Sequence, residues 1–129
     1  HPEKAIPEHE HALRIYKAAY PDRLNLDLAL THADLANAYL REGNGDKTME
    51  HLNEAFDIYF KMLPENAHQL IYPYSTLANL MTAMGDYETA MTNYSHTIWL
   101  LLENGYTKDS TAVQEFATKI RELEELQNG

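Results

Sequence analysis

The side chains of this sequence that could do chemistry are seven histidines, twenty carboxylates and a few serines, with no cysteine among them. Only in His9-Glu10-His11 do two histidines fall close together. A separation of two residues turns the rings to nearly opposite sides of a helix, unlike the four-residue spacing that offers two imidazoles to one metal ion. His9 is therefore read as packed in the fold and His11 as solvated. His51, His68 and His96 stand alone in sequence, which fits structural or surface roles. Glu122, Glu124 and Glu125 gather on the polar side of a last helix, where solvation accounts for them without acid–base work. Ser75, Ser95 and Ser110 have no nucleophile elbow around them, and the chain has neither a glycine-rich phosphate loop nor a dinucleotide fingerprint. Asn93-Tyr94-Ser95 has the form of a glycosylation acceptor, but Tyr94 falls on a core position in mid-helix. The expectation is a protein that is not an enzyme, with no catalytic residue, no metal and no cofactor.

Charge narrows the remaining possibilities. Twenty acids against ten bases give a formal charge of −10, and the basic residues are scattered from Lys4 to Arg121. A surface that tracks phosphates needs clustered Lys and Arg, so no nucleic acid and no membrane partner is expected. No window approaches the roughly 18 apolar residues of a membrane span, and His1-Pro2-Glu3-Lys4 lacks the apolar core of a secretion signal. The reading is a soluble chain, with the cytoplasm as its default location. Recognition is the chemistry that is left.

The elements that would position a recognition surface emerge when the chain is slid along itself. Leu35-Ala36-Asn37-Ala38-Tyr39 returns 42 residues later as Leu77-Ala78-Asn79-Leu80-Met81. The same shift sets Gly43 on Gly85, Thr48 on Ala90, Leu52 on Tyr94, Ala55 on Thr97 and Phe56 on Ile98, small on small and large on large. A shift of 43 sets Ala5 on Thr48, Ala12 on Ala55, Leu13 on Phe56, Tyr16 on Tyr59 and Pro21 on Pro64. The chain thus opens on the second helix of a repeat and is expected to be the C-terminal piece of something longer.

Punctuation predicts six helices. The first runs from about Glu3 to Tyr20 and stops before Pro21. The second runs from about Asp27 to Glu42 and is closed by Gly43. The third starts near Asn44 or Asp46, carries an amphipathic stripe to Leu63 and breaks at Pro64. The fourth lies within His68 to Met84, where Pro73 marks either a first turn or a kink; Pro7 poses the same question in the first. The fifth lies within Asp86 to Asn104 and the sixth within Thr111 to Gln127, with Thr111 and Gln114 as a capping box and Val113, Phe116, Ile120 and Leu123 as its apolar stripe. No run alternates long enough to make a strand, so the fold is all-α. Small residues at Ala36, Ala78, Thr48 and Ala90 let paired helices approach closely.

Ala78, Gly85-Asp86-Tyr87-Glu88, Ala90, Tyr94 and Thr97 resemble the tetratricopeptide repeat signature, and Leu35-Ala36, Tyr39, Ala55 and Pro64 resemble a weaker copy. The period of 42 or 43, against the usual 34, is similar to the long-repeat variants of kinesin light chains and bacterial peptide-pheromone receptors. His9 and His32 depart from the pattern, standing where it prefers aromatics. The resemblance implies a right-handed α-solenoid of antiparallel helix pairs in one domain, 1–129. Within it, 1–21 would be the second helix of a truncated repeat, 25–64 and 67–104 full repeats, and 108–127 a capping helix.

It further implies a protein- or peptide-binding scaffold whose concave groove is lined by first helices. Carried over by position, that groove takes Ala33, Asn37 and Arg41 from one repeat and Tyr72, Ser75, Asn79 and Thr82 from the next. A carboxamide offers donor and acceptor together, so Asn37 and Asn79 could form a ladder along a peptide backbone, with Arg41 and Tyr72 setting preference. The alternatives are a solvated asparagine copied by duplication, a plain surface charge at Arg41, and local packing of Tyr72 on Pro73. A clamp for a terminal carboxylate is disfavoured, because Ala33 and Thr76 stand where it needs Lys and Asn and the next candidates are only Gln114 and Thr118. The competing function is self-association, giving a homo-oligomer through the terminal helices, or docking within a larger regulator or enzyme.

Overall fold

A computed structural model of the chain describes residues 2–19 and 25–129. Among the described residues there are six α-helices, a short 3₁₀ turn at His68–Leu70 and no strand. The helices are α1 (Pro2–Ala19), α2 (Leu26–Arg41), α3 (Gly45–Met62), α4 (Ile71–Ala83), α5 (Tyr87–Glu103) and α6 (Thr111–Asn128). The stop expected before Pro21 and the matches drawn for Ala5 and Tyr16 fall on residues or side chains outside that description. The chain divides into two compact units, 1–64 and 65–129, at the Pro64 break.

In the first unit, Asn25 caps α2, its side-chain oxygen accepting the Leu28 N–H at 2.7 Å. At the other end Gly43 takes φ +80°, the Gly43 N–H reaches the Leu40 carbonyl at 3.0 Å, and the Asn44 N–H reaches the Tyr39 carbonyl at 2.9 Å. These two bonds make a Schellman closure, which needs the left-handed conformation that glycine adopts without penalty. Asn44 then turns its side-chain oxygen to the Lys47 N–H and caps α3.

The second unit repeats this turn bond for bond. Gly85 has φ +82°, its N–H reaches Thr82, the Asp86 N–H reaches Met81, and the Asp86 carboxylate caps α5 at the Thr89 N–H. One polar residue after each glycine therefore ends one helix and begins the next. The resulting pairs pack on small residues. Ala36, Thr48 and Ala55 in α2 and α3 are fully buried, as are Ala78, Ala90 and Thr97 in α4 and α5, so the 42-residue register of small side chains is a register of contact surfaces.

Two proline questions have answers. Pro73 is the third residue of α4, where its missing N–H has no helical acceptor to lose. Pro7 lies inside α1, which continues past it with the ring exposed. The 43-residue correspondence of α1 with α3 is not matched by burial, since Ala12 is exposed where Ala55 is fully buried. The helix turns a different side inward, the one bearing Leu13.

The stripe drawn for α6 is realised. Val113 and Leu123 are buried, and Leu123 joins Ala78, Ala90 and Tyr94 in a core against which Phe116 and Ile120 pack. Its cap differs from expectation. Ser110, not Thr111, is the capping residue, and its hydroxyl accepts the Thr107 N–H at 2.9 Å instead of a helical one. Gln114, one residue too far along for a capping box, donates to the Lys108 carbonyl at 2.6 Å.

Candidate functional site

Tyr72, Ser75, Asn79 and Thr82 follow one another at helical spacing along α4, each partly exposed. Two of their hydroxyls bend back onto the helix, Ser75 donating to the Tyr72 carbonyl at 2.8 Å and Thr82 to the Ala78 carbonyl at 2.9 Å. Asn79 is held from the neighbouring helix, because the hydroxyl of Tyr94 on α5 donates to its side-chain oxygen. Tyr94 is only 2% exposed. Burial raises its phenol pKa, partly offset by the Thr82 hydroxyl beside it, so it remains a donor at neutral pH. The structure thus gathers Asn79 and Thr82 about one phenol. With its oxygen engaged, Asn79 keeps the two N–H groups of its amide for another acceptor.

The equivalent face of α2 is organised differently. Asn37 is half-buried and Arg41 exposed in the last turn, but Leu52 stands where the second pair has Tyr94, so among the described residues no phenol orients the Asn37 amide. Ala33, expected on this face, is 1% exposed and offers a ligand no surface. Its single methyl group does not reach past its larger neighbours, whereas its counterpart Ser75 remains half-buried. Asn37 and Arg41 belong to the first unit, and Tyr72, Ser75, Asn79 and Thr82 to the second.

The exposed face of α6 carries Thr111, Gln114, Glu115, Thr118, Lys119 and Glu122 along a shallow, open surface. Gln114 and Thr118, the next candidates along the sequence, are among them. A shift of 39 sets Ser75 on Gln114, Leu77 on Phe116, Ala78 on Ala117 and Asn79 on Thr118, so α6 carries the same polar stripe as α4 in its own register. Lys119 also places its ammonium 5.8 Å from the centre of the Tyr94 ring.

Sequence reasoning missed a polar cluster in the first unit. His32 on α2 and His51 on α3 bring their Nδ1 atoms to 3.0 Å, and His32 is 2% exposed. The Tyr39 ring stacks on His51 with centroids 5.6 Å apart, and its hydroxyl donates to Glu10 on α1 at 3.0 Å. The same Glu10 oxygen lies 3.7 Å from Nε2 of His51. Nε2 of His32 is buried with no hydrogen-bond partner among the described residues. Burial, reinforced by His51 and Lys17, pulls His32 down to a pKa of about 4, against the pull of Glu50. Burial also lowers His51, while Glu10 and Glu50 act to raise it. The histidines are 19 residues apart and meet only because α2 and α3 are antiparallel. The available signal was that each sits on its helix's buried stripe, at a similar distance from the Gly43 turn.

A second aromatic group lies in the other unit, where the His96 ring sits 4.2 Å from Tyr74 and 5.3 Å from Trp99. Among the described residues no group of three or more His, Cys, Asp or Glu side chains could hold a metal ion, and no helix is long and apolar enough to cross a membrane. No protein-family model matches the chain, and no curated protein does.

Proposed function

We propose that this chain is a protein- or peptide-binding module of tetratricopeptide type, which holds an extended segment of a partner against the polar faces of its first helices and transforms nothing. The observation that carries the reading is Asn79. Its side chain is partly exposed, yet its oxygen is fastened to a buried phenol, so its amide protons are presented at a fixed place before any ligand arrives. A donor fixed in advance costs a ligand less ordering entropy than a free side chain. It matches the backbone carbonyls that every extended peptide displays. The exposed polar stripe on α6 supports the same reading. Equal burial of small residues at a constant period supports the repeat kinship.

The test is a selection from a displayed random-peptide library on the immobilised chain, followed by titration of the selected peptides. The reading expects binders that lose affinity when Asn37→Ala and Asn79→Ala are combined. Binders indifferent to that pair, or no binders at all, would overturn it.

A further inference from the structure

The cluster of Glu10, His51 and His32 runs as a row from α1 through α3 to α2, and its protons can be placed by chemistry. The Glu10 carboxylate faces Nε2 of His51, which favours a proton on that nitrogen. Nδ1 of His51 is then a lone pair and accepts from Nδ1–H of His32 across 3.0 Å. That leaves Nε2 of His32 as the bare, buried nitrogen without a partner among the described residues. One further proton fits the row. His51 then carries hydrogen on both nitrogens, its charge paired with Glu10 at 3.7 Å and its Nδ1–H donated to His32, while His32 carries its own proton on Nε2. A second does not fit, because both Nδ1 atoms would bear hydrogen and face each other at 3.0 Å with two like charges in a buried place.

We propose that this row is an acid-sensitive clasp: it holds α1 on α2 and α3 while the two imidazoles share at most one extra proton, and it opens when the second binds. The surrounding charges among the described residues come from all three helices. Glu10 and Lys17 face the pair from α1, Lys47 and Glu50 from α3, and Tyr39 with Glu42 flank it from α2. Lys17 and Lys47 oppose protonation, and Glu10 and Glu50 favour it, so no single counter-charge neutralises a doubly protonated pair. The low value for His32, about 4, agrees with a second proton that enters only under strong acid. The clasp would couple acidity to the freedom of α1, and so to access to the surface α1 covers.

The full chain, labelled with nitrogen-15, tests this directly. Imidazole nitrogen spectra are followed from pH 7 to below pH 4 together with hydrogen exchange of backbone amides, corrected for the intrinsic effect of pH. The expected result is a His32 ring that stays neutral well below 6.5, the ordinary value for histidine. As the second proton enters, exchange of α1 amides should accelerate by roughly a hundredfold, while amides of α5 and α6 hold. Two rings titrating independently at the ordinary histidine value, or α1 and α6 losing protection together, would overturn the clasp. In His32→Phe the acid-induced acceleration in α1 should vanish, and its persistence in a folded variant would count against the proposal. If that variant does not fold, the wild-type spectra still decide.

Discussion

The phenol of Tyr94, 2% exposed on α5, donates to the side-chain oxygen of Asn79 on α4, whereas Leu52 occupies the matching place beside Asn37. Two asparagines that are equivalent in sequence therefore differ in mechanics. One amide is fixed and its oxygen engaged; the other, among the described residues, is not held by a phenol.

That difference is measurable in stability. Asn79→Ala removes one hydrogen bond from a buried hydroxyl that keeps Thr82 beside it, which should cost about 0.5–1.5 kcal/mol. Asn37→Ala should stay within about 0.5 kcal/mol of the parent. Urea denaturation of the two single variants checks this, and equal losses would contradict the asymmetry.

In binding, the double variant Asn37→Ala with Asn79→Ala should weaken a selected peptide at least about tenfold, or about 1.4 kcal/mol. Tyr94→Phe keeps the ring and frees the Asn79 amide, so it should weaken the same peptide without touching it. Isothermal titration of both variants measures how much of the effect is pre-orientation.

Ala90 is fully buried where α4 and α5 cross, in a core with Ala78, Tyr94 and Leu123. Ala90→Leu must push the helices apart, at a cost of roughly 1–3 kcal/mol. Thermal melting followed by circular dichroism is the measurement, with the exposed Ala83→Leu as control.

Gly85 at φ +82° has no atom within 4 Å of where a Cβ would stand. Gly85→Ala therefore meets no clash, only the penalty of a left-handed L-residue, roughly 1–2 kcal/mol. Gly43→Ala, at φ +80° and equally open, should lose the same amount by denaturant titration.

Stability should also fall with acid through His32. Its folded-state pKa of about 4 lies below the value of 6.5 that it regains on unfolding. Above 6.5 neither state holds the extra proton; between 6.5 and 4 the unfolded chain takes it and the folded chain does not. Stability is therefore fully present above 6.5 and is lost as pH falls to about 4, by about 3 kcal/mol for this group. Denaturant titrations at pH 7 and near pH 4 should show a loss in the wild type that His32→Phe reduces by that amount.

Much of the architecture was legible because it is local. The glycines at 43, 85 and 105, each at positive φ, and the polar residue after the first two set helix ends, which depend on backbone hydrogen bonds a few residues apart. The recurring small residues set where helices approach, since a periodic pattern fixes which side of a helix can be buried. The candidate face on α4 came from the tetratricopeptide resemblance, and its four residues are all partly exposed.

Other features depend on which side chains meet across helices. The tetratricopeptide resemblance placed Ala33 with Asn37 and Arg41, yet Ala33 is buried, because exposure depends on how far neighbouring side chains reach as well as on angular position. Sequence reasoning treated His32, His51 and Glu10 as unrelated, and three helices bring them into one row. It made Asn37 and Asn79 equivalent, and one phenol from the next helix separates them. Helix positions, the two glycine turns and the small-residue seams follow from short-range geometry along the chain, whereas the α6 cap fell on Ser110 and not on Thr111. The tertiary structure alone decided which amide is fixed and which imidazoles share a proton, because hydrogen bonds and desolvation act between side chains that only packing brings within about 3 Å.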